Sequence, residues 1–196
     1  MGRHTLKAKK RRGRTLKKTN FDNDGVYLEK VYTPEDFGNI LQQCDEIHTL
    51  VDDPKAPGRL MHILQQDNPL INLIFNATLL RTVRRITGND NLHPCTYIPV
   101  EYRKYGPGSF MNWHRDQQML PNQNQYECVI TLRNTSDSKT LLEYKKGIKY
   151  LETRPNSLLI VRANGINHAV TPTTEGSRTI LKVVFSDPTL PSSPLF

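Results

Sequence analysis

Cysteine is scarce in this chain: Cys44, Cys95 and Cys128 are odd in number, far apart and in no CxxC pattern. That excludes a disulfide framework and a zinc knuckle, and it predicts buried thiols in a reducing compartment. Long apolar runs are missing too. Neither a stretch of about 18 apolar residues nor the apolar core of a secretory signal occurs, so no membrane span is expected and the protein reads as soluble and intracellular. Tryptophan occurs once, at Trp113. Acidic residues are absent from the first 20 positions, "MGRHTLKAKKRRGRTLKKTN", which hold nine Lys and Arg. The net charge of +8 therefore belongs to that stretch. The remainder carries 18 basic side chains against 19 acidic ones.

A run such as "KAKKRRGRTLKK" repels itself and lacks apolar side chains, so residues 1–22 are expected to form a disordered basic tail. Three readings of it compete: a solvated tail, a nuclear address or arm that contacts nucleic acid or another acidic partner, and a transit peptide, which the missing cleavage-site pattern and thin apolar face count against. The remaining chain, 23–196, is of a length suited to one domain with a real core. The sequons at Asn76 and Asn134 mean little without a route into the secretory pathway.

"GVYLEKVY" (25–32) reads as a short strand. "TPEDFGNILQQCDEI" then has the marks of a helix start, with Thr33 at the N-cap, Pro34 in the first turn and Asp36 where a capping box wants its acid. Phe37, Ile40, Leu41, Cys44 and Ile47 follow at helical spacing and predict one buried stripe. A loop rich in Asp, Pro and Gly covers 52–59. A second helix is expected over about 69–87, from Pro69 to the residue before Gly88, with Arg81, Arg84 and Arg85 near its C-terminus, where the helix dipole favours cations. From about residue 95 the texture changes to short segments rich in β-branched and aromatic residues: "CTYIPVEYRKY", "YECVITLR", "TLLEYKKGIKYLE", "SLLIVRA" and "RTILKVVF". Turn-forming clusters separate them, and no helical pattern intervenes. The expected fold class is α+β, mainly β: an antiparallel barrel supported by N-terminal helices.

One stretch carries the chemistry. In "YGPGSFMNWHRD" (105–116), His114 and Asp116 lie two residues apart, so on a strand they project to one side. A neutral imidazole and a carboxylate aimed at one point make two thirds of a facial set of metal ligands, and two His with one carboxylate suit non-haem Fe(II). Alone the pair is weak, because it arises often by chance and a His–Asp hydrogen bond at a strand end is its usual explanation. A third ligand should come from a later strand. His168, in "NGINHAVTP", follows "SLLIVRA" and a Gly-containing turn, whereas His4, His48 and His62 precede the β region and His93 sits before a proline. Ten residues past His168, Arg178 opens "RTILKVVF". A guanidinium suits bidentate pairing with a carboxylate, although an exposed strand charge is the alternative. Lys182 shares a face with Arg178 and reads as an outer-face charge. Trp113, beside His114, should point away from the metal into packing.

Tyr105, His114-x-Asp116, His168 and Arg178 in this spacing resemble the 2-oxoglutarate- and Fe(II)-dependent oxygenases, and among them the prolyl 4-hydroxylase-like branch. The resemblance covers roughly 95–186 and implies a double-stranded β-helix (jelly-roll) core there. It also implies that His114, Asp116 and His168 bind Fe(II), that Arg178 pairs with the distal carboxylate of 2-oxoglutarate, and that Tyr105 hydrogen-bonds the same co-substrate. Thr131, on "YECVITLR", is a further pocket candidate. Dioxygen would be the oxidant and L-ascorbate an accessory reductant. The implied reaction is hydroxylation of an unactivated C–H, most plausibly on a protein or peptide side chain such as proline, with 2-oxoglutarate converted to succinate and carbon dioxide. The polar segment "DQQMLPNQNQ" (116–125) is the candidate lid. The chain departs from the family's pattern where Gly-Gly is common, with "SDSKTLLEYKKG" instead, and where a late Trp is common, with Phe185 instead. Two alternatives stay open: a nucleic-acid demethylase of the same superfamily, motivated by the tail, and a non-catalytic β-helix that binds a metal or ligand. Against the demethylase, only one Arg follows His168 at family spacing.

Overall fold

Thr33 starts the first helix as its position predicts. The computed structural model describes residues 25–187, so the tail expected over 1–22 lies outside the described residues, as do the ends of the expected domain. Strand β1 (Val26–Glu29) precedes α1 (Pro34–Asp45), and the Thr33 hydroxyl accepts from the Asp36 amide at 3.1 Å. This satisfies an amide that the helix itself cannot. Ile40 and Cys44 are buried, with Phe37 and Leu41 packed beside them. Ile47 joins the same core from beyond the helix end.

Two expectations need correcting. The loop over 52–59 is the turn of a small hairpin, β2 (Val51–Asp52) and β3 (Arg59–Ile63). The helix expected over 69–87 is two, α2 (Pro69–Ile74) and α3 (Ala77–Thr87). Asn76 makes the break: its side-chain oxygen accepts from the Thr78 and Leu79 amides, both at 3.1 Å, and so caps a new helix inside the apolar run. α3 ends where expected, at Gly88 in the left-handed region (φ +67°).

Nine strands follow in the described residues: β4 (His93–Pro94), β5 (Glu101–Tyr105), β6 (Met111–His114), β7 (Gln125–Asn134), β8 (Thr140–Tyr144), β9 (Gly147–Leu151), β10 (Ser157–Arg162), β11 (His168–Val170) and β12 (Arg178–Ser186). All pairings are antiparallel. The larger sheet runs β1-β10-β7-β12-β5-β3-β2, with β4 also on β12, and the smaller runs β6-β11-β8-β9. This is the mainly β, antiparallel architecture expected, a double-stranded β-helix with its helices on one side.

The larger sheet is buried on both faces, which is why its central strands read as near-continuous apolar runs. Cys128, Ile130, Leu132, Leu158, Ile160, Leu181, Val183 and Phe185 face the helices and pack with Ile40, Leu70, Ile74, Leu79 and Val83. Their alternating neighbours Val129, Leu159, Val161 and Ile180 line a cavity on the other side. The three cysteines are free and buried, as predicted, and burial pushes the Cys44 thiol up to about 12. Phe185 is fully buried and meets Phe75 of the α2–α3 junction edge to face at 5.4 Å. Phe185→Ala should lose about 3–5 kcal/mol of stability. Urea unfolding measures this, and a loss below about 1 kcal/mol would show that the sheet–helix contact is not the main core.

Candidate active site

Cross-strand register brings the histidines together. His114 at the end of β6 is the direct partner of His168 on β11, and the ring centroids are 4.2 Å apart. Asp116 lies two residues past His114, just beyond the strand. Its carboxylate stands 3.9 Å from His114 Nε2 and 3.6 Å from His168 Nε2. These separations exceed a hydrogen bond, and they leave the kind of gap an ion fills when its ligand bonds are about 2.1 Å. One ligating atom from each residue lies within 4.8 Å of the other two, and among the described residues no other such trio occurs.

The second nitrogen of each ring settles its tautomer. His114 Nδ1 lies 2.8 Å from the Asn112 carbonyl and His168 Nδ1 lies 3.1 Å from that of Ile166. A carbonyl only accepts, so each Nδ1 carries the proton and each Nε2 presents a lone pair to the gap. Burial, and then the neighbouring His168, lower the pKa of His114. Both effects favour the neutral imidazole that ligation requires. The donor set is chemically right for a divalent transition metal.

On the opposite sheet a second row forms. Tyr105 of β5 is paired in register with Arg59 of β3 on one side and Arg178 of β12 on the other. The two guanidinium carbons lie 5.4 Å and 4.6 Å from the Tyr105 ring centre. Arg59, only 1% exposed, donates through Nη1 to the Tyr105 hydroxyl at 2.7 Å and through Nε to Asp53 at 2.8 Å. Burial would raise the Tyr105 pKa, but Arg59, Arg178 and Arg103 together bring it below the usual phenol value. Arg178 is 3% exposed; its Nη1 donates to the Thr140 hydroxyl at 2.9 Å, and its Nε has no partner. Gly176 permits the turn that delivers Arg178. It has φ +69°, and a Cβ there would fall 2.2 Å from the Thr135 carbonyl oxygen.

The triad and this row line one cavity, together with Met111, Thr140, Val170, Arg103 and Lys182. Among its cations, Arg59 pairs with Asp53, Arg103 with Glu101, and Lys182 with Glu127 at 2.9 Å. Arg178 alone has no carboxylate partner among the described residues.

Of the residues singled out in the sequence, His114, Asp116, His168, Arg178 and Tyr105 therefore share one cavity. Thr131 does not line it: the residue is buried on β7 opposite Ser157 and Ile180, two positions beyond Val129. Lys182 is not an outer-face charge. It follows Arg178 at the strand period onto the inner face, with its ammonium 3.9 Å from Asp116. Trp113 turns away from the cavity but is 42% exposed, not packed. The expected lid is fastened at its base, since the Gln125 side chain accepts from the Met119 and Leu120 amides and donates to the Gln117 carbonyl and to Glu127. Arg59, Asp53 and Glu127 were not anticipated. Arg59 becomes visible only through the pairing of β3 with β5, which no local pattern announces.

No protein-family model and no curated protein sequence matches the chain. Solved structures do. A 2OG-Fe(II) oxygenase family oxidoreductase from Burkholderia pseudomallei superposes with a TM-score of 0.69 at 14% identity, covering 84% of this chain and 86% of that one. HygX from Streptomyces hygroscopicus, with nickel and 2-oxoglutarate bound, gives 0.64 at 11% identity over 86% and 84% of the two chains. A prolyl hydroxylase from Trichoplax adhaerens, in complex with a hypoxia inducible factor peptide fragment, gives 0.63 at 13% identity over 84% of each. At these identities the likeness establishes the fold: the chain is built as a double-stranded β-helix of the kind found in 2OG-Fe(II) oxygenases.

Proposed function

We propose that the protein is an Fe(II)- and 2-oxoglutarate-dependent oxygenase that hydroxylates an unactivated C–H of a polypeptide side chain, proline being the leading candidate. The observation that carries this reading is the sharing of one cavity by two unlike requirements. Three ligating atoms face a common gap, and a buried guanidinium faces the same space without a carboxylate. An unpaired buried charge costs several kcal/mol, so Arg178 calls for an anionic ligand. Two of the structural neighbours agree in kind, since one holds 2-oxoglutarate with a metal and another a peptide.

His114, Asp116 and His168 would hold the metal, and Arg178 the distal carboxylate of the co-substrate. Bound Fe(II), with 2-oxoglutarate and dioxygen, would supply the oxidation of the C–H, 2-oxoglutarate going to succinate and carbon dioxide. The protein's part is orientation and exclusion. The Nδ1 hydrogen bonds of the two histidines fix their rings. Thr140 fixes the Arg178 fork, and Arg59 holds the Tyr105 hydroxyl as an acceptor, which leaves its own proton free to be donated into the cavity. Met111, Val129, Leu159, Val161 and Ile180 keep the wall between the two rows apolar. The demethylase reading wanted a second arginine beyond Arg178, and β12 carries Lys182 instead, already paired with Glu127.

Anaerobic addition of Fe(II) and then 2-oxoglutarate should produce a weak metal-to-ligand charge-transfer band. His114→Ala and Asp116→Ala should remove both the band and succinate formation. A folded wild-type protein without the band would sink the proposal. Arg178→Ala should raise the 2-oxoglutarate concentration needed for half-maximal turnover by about 10–100-fold, the equivalent of one or two charge-assisted hydrogen bonds. An unchanged requirement would remove Arg178 from its role.

A further inference from the structure

Outside the cavity, a groove of about 1060 Å³ is lined by Arg115, Lys145, Lys146 and Lys149, with Ile148 and Tyr144 between them. Its floor belongs to the candidate metal-ligand segments: Arg115 stands between His114 and Asp116, and Gly165 and Asn167 lie three residues and one residue before His168. Its wall is the β8–β9 hairpin, which turns through Lys145 and Lys146. The four cations have no carboxylate partner among the described residues. Glu143, the one acid in the lining, is already held by the Asn167 side-chain amide at 2.8 Å. This concentration is local, because beyond the first 20 residues acidic and basic side chains nearly balance.

We propose that the groove docks an acidic stretch of the polypeptide substrate, so that a neighbouring residue of the same chain is presented at the metal-ligand segments. The inference rests on the oxygenase reading and adds to it the substrate's charge. Charge complementarity selects an anion. Two further features select polypeptide over nucleic acid. Among the described residues β9 pairs only with β8, so its outer edge offers backbone groups that an extended peptide can bond, with Ile148 (47% exposed) available for side-chain contact. Tyr144 is the one aromatic in the lining, half-buried with its hydroxyl on the Gly25 carbonyl at 3.1 Å, and the exposed Tyr150 lies outside it, so the groove has no ladder of aromatics for successive bases. The chain's own first 20 residues are excluded as occupant by their charge.

Fluorescence anisotropy on the full chain, without metal or 2-oxoglutarate, tests this with three labelled probes of equal length: a Glu-Pro peptide, a Ser-Pro peptide and oligothymidylate. Lys145→Glu/Lys146→Glu/Lys149→Glu should weaken the Glu-Pro peptide at least about tenfold and oligothymidylate by a clearly smaller factor. The corresponding triple Gln variant, which keeps the hairpin's size, should give an intermediate loss. An unchanged Glu-Pro affinity in both variants overturns the proposal. An equal or larger loss of oligothymidylate also overturns it, in favour of a nucleic-acid groove. Succinate formation is read separately. A protein that makes succinate but ignores the substitutions loses the groove and keeps the oxygenase. One that makes none yet loses the peptide on substitution keeps the groove and loses the oxygenase.

Discussion

The charge on Arg178 constrains everything around it. It is buried at the start of β12, where the Thr140 and Thr153 hydroxyls and the face of Tyr105 are its polar contacts among the described residues. Such a charge persists only where the surrounding fold over-determines its position, and here three strands do so. The register of β3, β5 and β12 sets Arg59, Tyr105 and Arg178 side by side, and Asp53 anchors the far end of the row. The ring of Tyr105 accepts both guanidiniums through its π-face, while its hydroxyl serves Arg59. The two like charges still oppose each other: burial and then the Arg59 charge lower the Arg178 pKa, and Tyr105 offsets part of that.

β12 explains how one strand can be both core and site. Its outward positions, Leu181, Val183 and Phe185, join the helices, and its inward positions, Arg178, Ile180 and Lys182, face the cavity. A one-residue slip would exchange the two sets, burying both cations against α2 and α3. The hydrophobic drive that packs the helices therefore also aims the cations. An irregularity in the β12–β7 ladder between Thr179 and Ile180 falls directly after Arg178, at the kind of position where a bulge re-aims a side chain.

This also explains what could be read in the sequence and what could not. His114, Asp116, His168 and Arg178 were legible because each sits at a strand end whose spacing survives any change in the surrounding packing. The strands were legible because two-sided burial writes itself as apolar runs. Arg59 was hidden, since its partner Tyr105 is 46 residues away and only the β3–β5 pairing joins them. Lys182 is hidden for a different reason: the strand period places it on the face of Arg178, but a cation on a strand ordinarily faces water. Glu127, raised in pKa first by burial and held down by Lys182, is what makes the inward position tolerable. Asn76 hid a helix break inside an apolar run because hydrophobic periodicity outweighs a single cap when the sequence is scanned.

Counting the cavity's charges leads to the nature of its ligand. Arg59, Arg103 and Lys182 are each cancelled by Asp53, Glu101 and Glu127. What remains is Arg178 and Asp116, one charge of each sign, with the two imidazoles available as neutral donors. A divalent ion at the triad leaves the site with two positive charges inside a largely apolar wall. Charges in such surroundings interact far more strongly than in water, so that surplus demands compensation. A neutral ligand would leave it entire and a monoanion would leave half. A dianion with one carboxylate for the metal and one for Arg178 cancels it, and 2-oxoglutarate has that charge and those two ends. The fold alone is compatible with many ligands. The charge balance of these particular residues is what favours a dianion among them.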